Sequence, residues 1–171
     1  MSKPSLHRLW NAFPDHVRYR RLIDLYTMMG GVAERNINVD GFGPDGNTCA
    51  SRLSHAFNHG GAPISEATSR VVRAKTIGTA DGKRVIFRVA DFRRYLLQVL
   101  GKPTIDRATP YDDLFRSRQG IIAFTVQGWG DATGHIALVR NGQYREPAHD
   151  NYATLNQGGA RTILGEFWEL P

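Results

Sequence analysis

Cysteine occurs once in 171 residues, at position 49, so no intramolecular disulfide can form and stability must come from packing. No run approaches the roughly 18 apolar residues that a membrane-spanning helix needs. The N-terminal stretch MSKPSLHRLWNAFPDH lacks the apolar segment of a secretory signal, and the chain is expected to be made in the cytoplasm without a signal peptide. Internal repeats and low-complexity tracts are also missing. Basic residues form only short groups, at Arg18–Arg21, Arg70–Lys75 and Arg93–Arg94. With no recognisable nucleic-acid module beside them, they argue against a nucleic-acid binder. The glycine-rich GFGPDGNT is not followed by Gly-Lys-Ser/Thr, so it is no phosphate-binding P-loop, and no cofactor is expected.

What is present fits one domain spanning residues 1–171 with one sizeable core. Hydrophobic residues make up 41% and charged residues 22%, the balance of an ordinary globular chain. The net charge of +6, from 22 Lys+Arg against 16 Asp+Glu, favours anionic partners, whether nucleic acid, an anionic membrane surface or an anionic cell-wall polymer, and by itself identifies no function.

HVRYRRLIDLYTMMGG places Val17, Leu22, Ile23, Leu25, Tyr26 and Met29 at helical spacing, and Gly30-Gly31 ends the run. Asn47 or Thr48 is a candidate N-cap for a second helix, whose apolar stripe is Ala50, Leu53, Ala56 and Phe57. RVIFRV reads as a strand, ADFRRYLLQVLG as a helix ending at Gly101, and GIIAFTVQGW and TILGEFWEL as strands. HIALVRNGQYRE is a hairpin turning at Asn141-Gly142. Helices therefore come first and a mostly antiparallel sheet follows, an α+β arrangement.

Cys49 opens the second helix. A sulfur in the first turn of a helix is favoured as thiolate by free N–H groups and by the macrodipole, and the thiolate is the nucleophile. Backbone N–H groups at that helix start, that of Cys49 among them, would hold an oxyanion. The duller reading makes Cys49 a small buried hydrophobe. A nucleophilic cysteine needs a histidine base and a group to orient it. His135 opens the first arm of the hairpin, and alternation puts His135, Ala137 and Val139 on one face. A two-residue loop sets Arg140 opposite Gln143, Val139 opposite Tyr144 and Ala137 opposite Glu146. Glu146 thereby falls diagonally beside His135 and is the first choice as orienter. Asp150 is the runner-up, needing a bend at Pro147, and Asp131 is a third possibility. Trp129 and Asp131 are placed to line a cleft. His55 and His59 have metal-ligand spacing, but Ala56 stands where H-E-x-x-H requires glutamate. A zinc site from Cys49, His55 and His59 is set aside for a polar helix face, and no metal is expected. His7, His16 and His149 carry no usable pattern.

The stretches LWNAFP, MMGGVAERN, NTCASRLSHAFNHGG, GKPT, GWGDATGHIAL and FWEL, in this order, resemble the fourth family of type VI secretion amidase effectors. That resemblance implies a papain-like fold of the NlpC type. It implies hydrolysis of the γ-D-glutamyl–meso-diaminopimelate amide in peptidoglycan stem peptides. It also implies delivery into the periplasm of rival bacteria and a cognate immunity protein as partner, with no nucleic acid and no membrane insertion. Cys49 matches the family's nucleophile and His135 its base. The family's third member is an aspartate a short hairpin beyond the histidine. Here that place holds Glu146, with Asp150 available through a shifted loop. Two alternatives stay open beside the amidase: a papain-like protease or acyltransferase acting on another substrate, and a basic binding module with an inert Cys49.

Overall fold

Gln119–Gln127, the strand β4, is apolar on both faces, and the fold follows from covering both. Ile121 and Ala123 pack into one core with Ile136, Leu138 and Trp168, whereas Ile122 and Phe124 pack into a second with Ala137, Val139 and Phe167. An uninterrupted apolar run is what a strand buried on two sides requires. The protein is described by a computed structural model covering residues 3–37, 47–108, 117–129 and 134–171.

Four helices come first: α1 (Leu6–Ala12), α2 (Leu22–Met29), α3 (Gly31–Arg35) and α4 (Cys49–His59). Next are α5 (Glu66–Val71), a small hairpin of β1 (Thr76–Gly78) and β2 (Arg84–Ile86), and α6 (Val89–Leu100). The main sheet is built from β3 (Ile105–Arg107), β4, β5 (Gly134–Arg140), β6 (Gln143–Tyr144), β7 (Asn156–Gln157) and β8 (Ala160–Glu169). Its order is β3-β8-β4-β5-β6, with β7 paired to β8, and every described pairing is antiparallel. The short helix α7 (Pro147–Asp150) follows β6. This is the expected α+β class, with helices ahead of an antiparallel sheet.

The cysteine helix α4 is buried almost all round. Its expected stripe, Ala50, Leu53, Ala56 and Phe57, lies in the first core with Leu6 and Leu9 of α1. Its polar side is buried as well, because it holds β2 by side-chain hydrogen bonds. Ser54 Oγ donates to the carbonyl of Ile86 at 2.9 Å and accepts that residue's N–H at 3.0 Å, while Asn58 Nδ2 donates to the carbonyl of Arg84 at 2.8 Å. Polar groups so buried must be paired, and these are.

Two sequence expectations change. The first helical run does not include Val17, which is 95% exposed, and helix begins only at Leu22, where Asp24 accepts the N–H and the guanidinium of Arg21. The hairpin keeps the expected register, Val139 opposite Tyr144 and Arg140 opposite Gln143, with Asn141 and Gly142 at φ 50° and 79°. Pairing nevertheless stops at Tyr144, and Ala137 has no partner in Glu146. Glu146 instead precedes Pro147 as the N-cap residue of α7, and proline at N1 suits a helix start because it has no N–H to leave unpaired.

Gly120 sits between β5 and β8, where an added Cβ would lie 2.0 Å from the carbonyl oxygen of Trp168. Gly120→Ala is therefore expected to lower stability by about 3 kcal/mol through forced separation of the central strands. A urea midpoint unchanged from wild type would contradict that close approach.

Candidate active site

Cys49 is the first residue of α4, with Thr48 at the N-cap position. Thr48 makes no side-chain cap. Its Oγ1 accepts instead from Arg52 Nε at 2.9 Å, and Asn47 Oδ1 takes the N–H of Cys49 at 3.0 Å. Thus Asn47, one of the two candidate caps, satisfies the first orphan donor of the helix. Cys49 is buried, and its thiol is free.

His135 enters from β5, opposite Phe124 of β4. Strand alternation sends its ring to the face of Ala137 and Val139, away from Ile136 and Leu138. There the ring stacks on Tyr152, with centroids 4.3 Å apart and planes at 25°, and Trp129 meets Tyr152 edge-on at 5.3 Å. The Nε2 of His135 lies 2.9 Å from Asp150 Oδ1, with both side chains buried. The other ring nitrogen, Nδ1, has no hydrogen-bond partner of good geometry, yet Cys49 acts on the ring by charge and by hydrogen bonding. Burial alone would disfavour the imidazolium. The charges of Cys49 and Asp150 and their hydrogen bonds outweigh burial, and the pKa of His135 is raised to about 9.

Asp150, not Glu146, therefore meets His135. The register argument for Glu146 fails because the strand ends two residues before it. Glu146 turns its carboxylate to the N-terminal segment: Oε1 accepts the backbone N–H of His16 at 2.6 Å, and Oε2 lies 2.7 Å from His16 Nδ1. Burial works against its charge, but the His16 bonds and the nearby Arg52 prevail and hold its pKa below the ordinary glutamate value. Its own N–H donates to Asp150 Oδ2 at 3.1 Å. Asp150 thus orients His135 with one oxygen and is itself fixed by the other.

A cavity of about 230 Å³ brings Cys49, His135, Asp150 and Glu146 together with His16, His149, Arg52 and Tyr152. Sequence reasoning passed over His16, His149, Arg52 and Tyr152. His16 and Glu146 are 130 positions apart, and no local pattern announces such a contact. Among the described residues Trp129 meets the site through Tyr152, and Asp131 lies outside the described residues. His55 and His59 border a separate cavity of about 180 Å³ with Asp81, so the structure does not bring them to Cys49. Their rings are 4.1 Å apart, and burial pushes the pKa of His55 down to about 4. Among the described residues no cluster of three or more His, Cys, Asp or Glu is arranged to hold a metal ion, and no helix is long and apolar enough to cross a membrane.

Cys49 at the start of α4, His135 on β5 and Asp150 on α7 thus line one cavity, with Asp150 bonded to His135. The family model described as type VI secretion system (T6SS) amidase effector protein 4, Tae4, matches residues 46–165, the segment holding all three. The chain belongs to this family.

Solved structures agree over the full length. Tae4 in the Tae4–Tai4 effector–immunity complex from Enterobacter cloacae is 30% identical, with a TM-score of 0.82 over 99% of either chain. Tae4 from Enterobacter cloacae alone is 31% identical, with a TM-score of 0.80 over 100% of both chains. The Tae4/Tai4 effector–immunity system of Salmonella typhimurium gives 29% identity and a TM-score of 0.81, covering 99% of this chain and 100% of that one. No curated protein matches the chain in sequence. As a family member the chain is an amidase effector of type VI secretion.

Proposed function

We propose that this effector is a cysteine amidase cutting the γ-D-glutamyl–meso-diaminopimelate amide of peptidoglycan stem peptides, active in the periplasm of target bacteria and neutralised by a cognate immunity protein. The observation that carries this reading is the meeting of Cys49, His135 and Asp150 in one cleft, with Asp150 bonded to His135. The +6 charge suits a polymer rich in carboxylates.

Cys49, as thiolate beside the His135 imidazolium, attacks the amide carbonyl. The tetrahedral oxyanion forms at the start of α4, where the Cys49 N–H is the nearest orphan donor. In the free protein that N–H is held by Asn47 Oδ1, so the oxyanion must displace or share the Asn47 acceptor as it forms. A donor in this role is worth about 3 kcal/mol. His135 passes its Nδ1 proton to the departing amine of diaminopimelate, leaving a thioester on Cys49. Water, deprotonated by His135, then cleaves the thioester and restores the thiol. Asp150 keeps Nε2 protonated throughout, which leaves Nδ1 facing sulfur and substrate.

The test is incubation of purified protein with Gram-negative peptidoglycan, with products resolved by liquid chromatography and mass spectrometry. The expected products end at D-glutamate on one side and begin at diaminopimelate on the other. Cleavage at a different amide would move the chemistry to another substrate. An unchanged muropeptide profile would mean that the cysteine–histidine pair serves another amide or that the basic binding module takes the lead.

A further inference from the structure

Residues 14–19, between α1 and α2, form a turn in which Tyr19 N–H donates to the carbonyl of Asp15 at 2.9 Å and Arg18 N–H to Asp15 Oδ1 at 2.9 Å. Two buried charged side chains grip this turn from opposite halves of the cleft. Arg52, three positions after the nucleophile on α4, donates to the carbonyls of Pro14 and Tyr19 at 2.6 and 2.7 Å. Glu146, at the entrance to α7, takes both donors of His16. Neither Arg52 nor Glu146 belongs to the relay of Cys49, His135 and Asp150. Buried charges persist only where they are fully paired, and here the pairing joins the nucleophile helix to the aspartate turn through a third piece of chain.

We propose that His16 is a positioning residue for the Cys49–His135 pair, acting through Glu146 on Asp150. Glu146 holds Asp150 by two hydrogen bonds: its N–H donates to Asp150 Oδ2 at 3.1 Å, and its carbonyl accepts Asp150 N–H at 2.9 Å. The same carbonyl also accepts His149 N–H at 2.9 Å. His149 in turn stacks its ring on His16 at 4.0 Å and 15°. Without the His16 imidazole the buried Glu146 carboxylate keeps the backbone N–H on Oε1 but loses the donor to Oε2, and that oxygen must turn toward water. The Glu146 backbone moves with it, Asp150 follows, and His135 loses the partner that fixes its tautomer. The kinetic part of this inference rests on the amidase reading, but the geometric part does not.

The experiment compares His16→Ala with His16→Asn, whose side-chain Nδ2 can stand where the imidazole Nδ1 stood. One readout is kcat and KM on a stem peptide. The other is the pH dependence of Cys49 alkylation by iodoacetamide, which needs no substrate. The titratable groups facing His135 are Cys49 and Asp150, with Tyr152 on its ring face, and those facing Glu146 are His16, Arg52 and Asp150. His16→Ala is expected to lower kcat by roughly 10- to 100-fold, as loss of an outer-shell partner does, with KM unchanged and the alkaline limb of alkylation moved to lower pH. His16→Asn is expected to restore most of both.

A raised KM with unchanged kcat would make His16 a substrate contact and overturn the proposal, as would equal loss in both variants. If His16→Ala does not fold, His16→Gln, which places its donor at the Nε2 position, must show the same loss of kcat. Wild-type protein that leaves stem peptides intact would sink the amidase reading. The alkylation profile alone would then decide for or against His16.

Discussion

Cys49→Ala is expected to reduce stem-peptide cleavage by a factor of about 10⁴ or more, into the uncatalysed background. Loss of a nucleophile removes the covalent route entirely, and what survives is the modest help of binding and oxyanion contacts. The fold should persist. Cys49 packs among Ala50, Leu53 and Phe57 in the first core, and exchanging sulfur for hydrogen there removes one small atom, a loss of about 1 kcal/mol. Muropeptide analysis over a time course reads the activity, and a melting curve reads the fold. Alanine protein that melts like wild type and leaves the wall intact assigns the nucleophile. Alanine protein that still cuts would mean that Cys49 is the small buried hydrophobe of the duller reading and that the nucleophile lies elsewhere. Cys49→Ser is expected to be nearly as inactive, because the imidazolium that stabilises a thiolate does little for a hydroxyl of far higher pKa.

The strand pattern of GIIAFTVQGW, the Asn141-Gly142 turn and the apolar stripe of α4 were all legible because each rests on neighbours a few residues apart. That Cys49 and His135 would share a cleft was legible for a different reason: their chemistry is rare and each sits at the start of an element. That Asp150 rather than Glu146 would meet His135 was not. The register carried correctly from Val139 to Tyr144, but a register holds only while the strand lasts, and Pro147 at the first position of α7 closes it off. Asp150 then reaches His135 from a helix that alternation cannot anticipate. The apolar periodicity of Val17 likewise misled, since a residue can be spaced like a helix face and still lie in a turn. Least legible was the grip of Arg52 and Glu146 on residues 14–19. Nothing in the sequence marks Arg52, and only the fold reveals that this face of α4 is covered.

Asp150→Asn is expected to lower kcat by roughly 10³- to 10⁴-fold, whereas Glu146→Gln falls far less. The isosteric amide keeps the shape of the aspartate but no longer enforces the tautomer that leaves Nδ1 for the reaction, the effect measured when a triad aspartate is changed to asparagine. The two variants also differ in pH dependence. His135 must carry a proton to give to the leaving amine, and its pKa is raised to about 9, with burial opposing and Cys49 and Asp150 prevailing. Wild-type activity should therefore hold through neutral pH and decline as pH rises through about 9, where the imidazolium is lost. Removing the Asp150 charge takes away part of what raised the pKa, so the alkaline decline of Asp150→Asn moves toward neutrality. Glu146 touches His16 and not His135, and Glu146→Gln leaves that decline closer to the wild-type position. A wild-type decline centred near 6.5, the unperturbed value for histidine, would mean that neither Cys49 nor Asp150 acts on the ring in the working enzyme. Equal displacement by both variants would instead place the two carboxylates on one relay, with Glu146 coupled to His135 as tightly as Asp150 is.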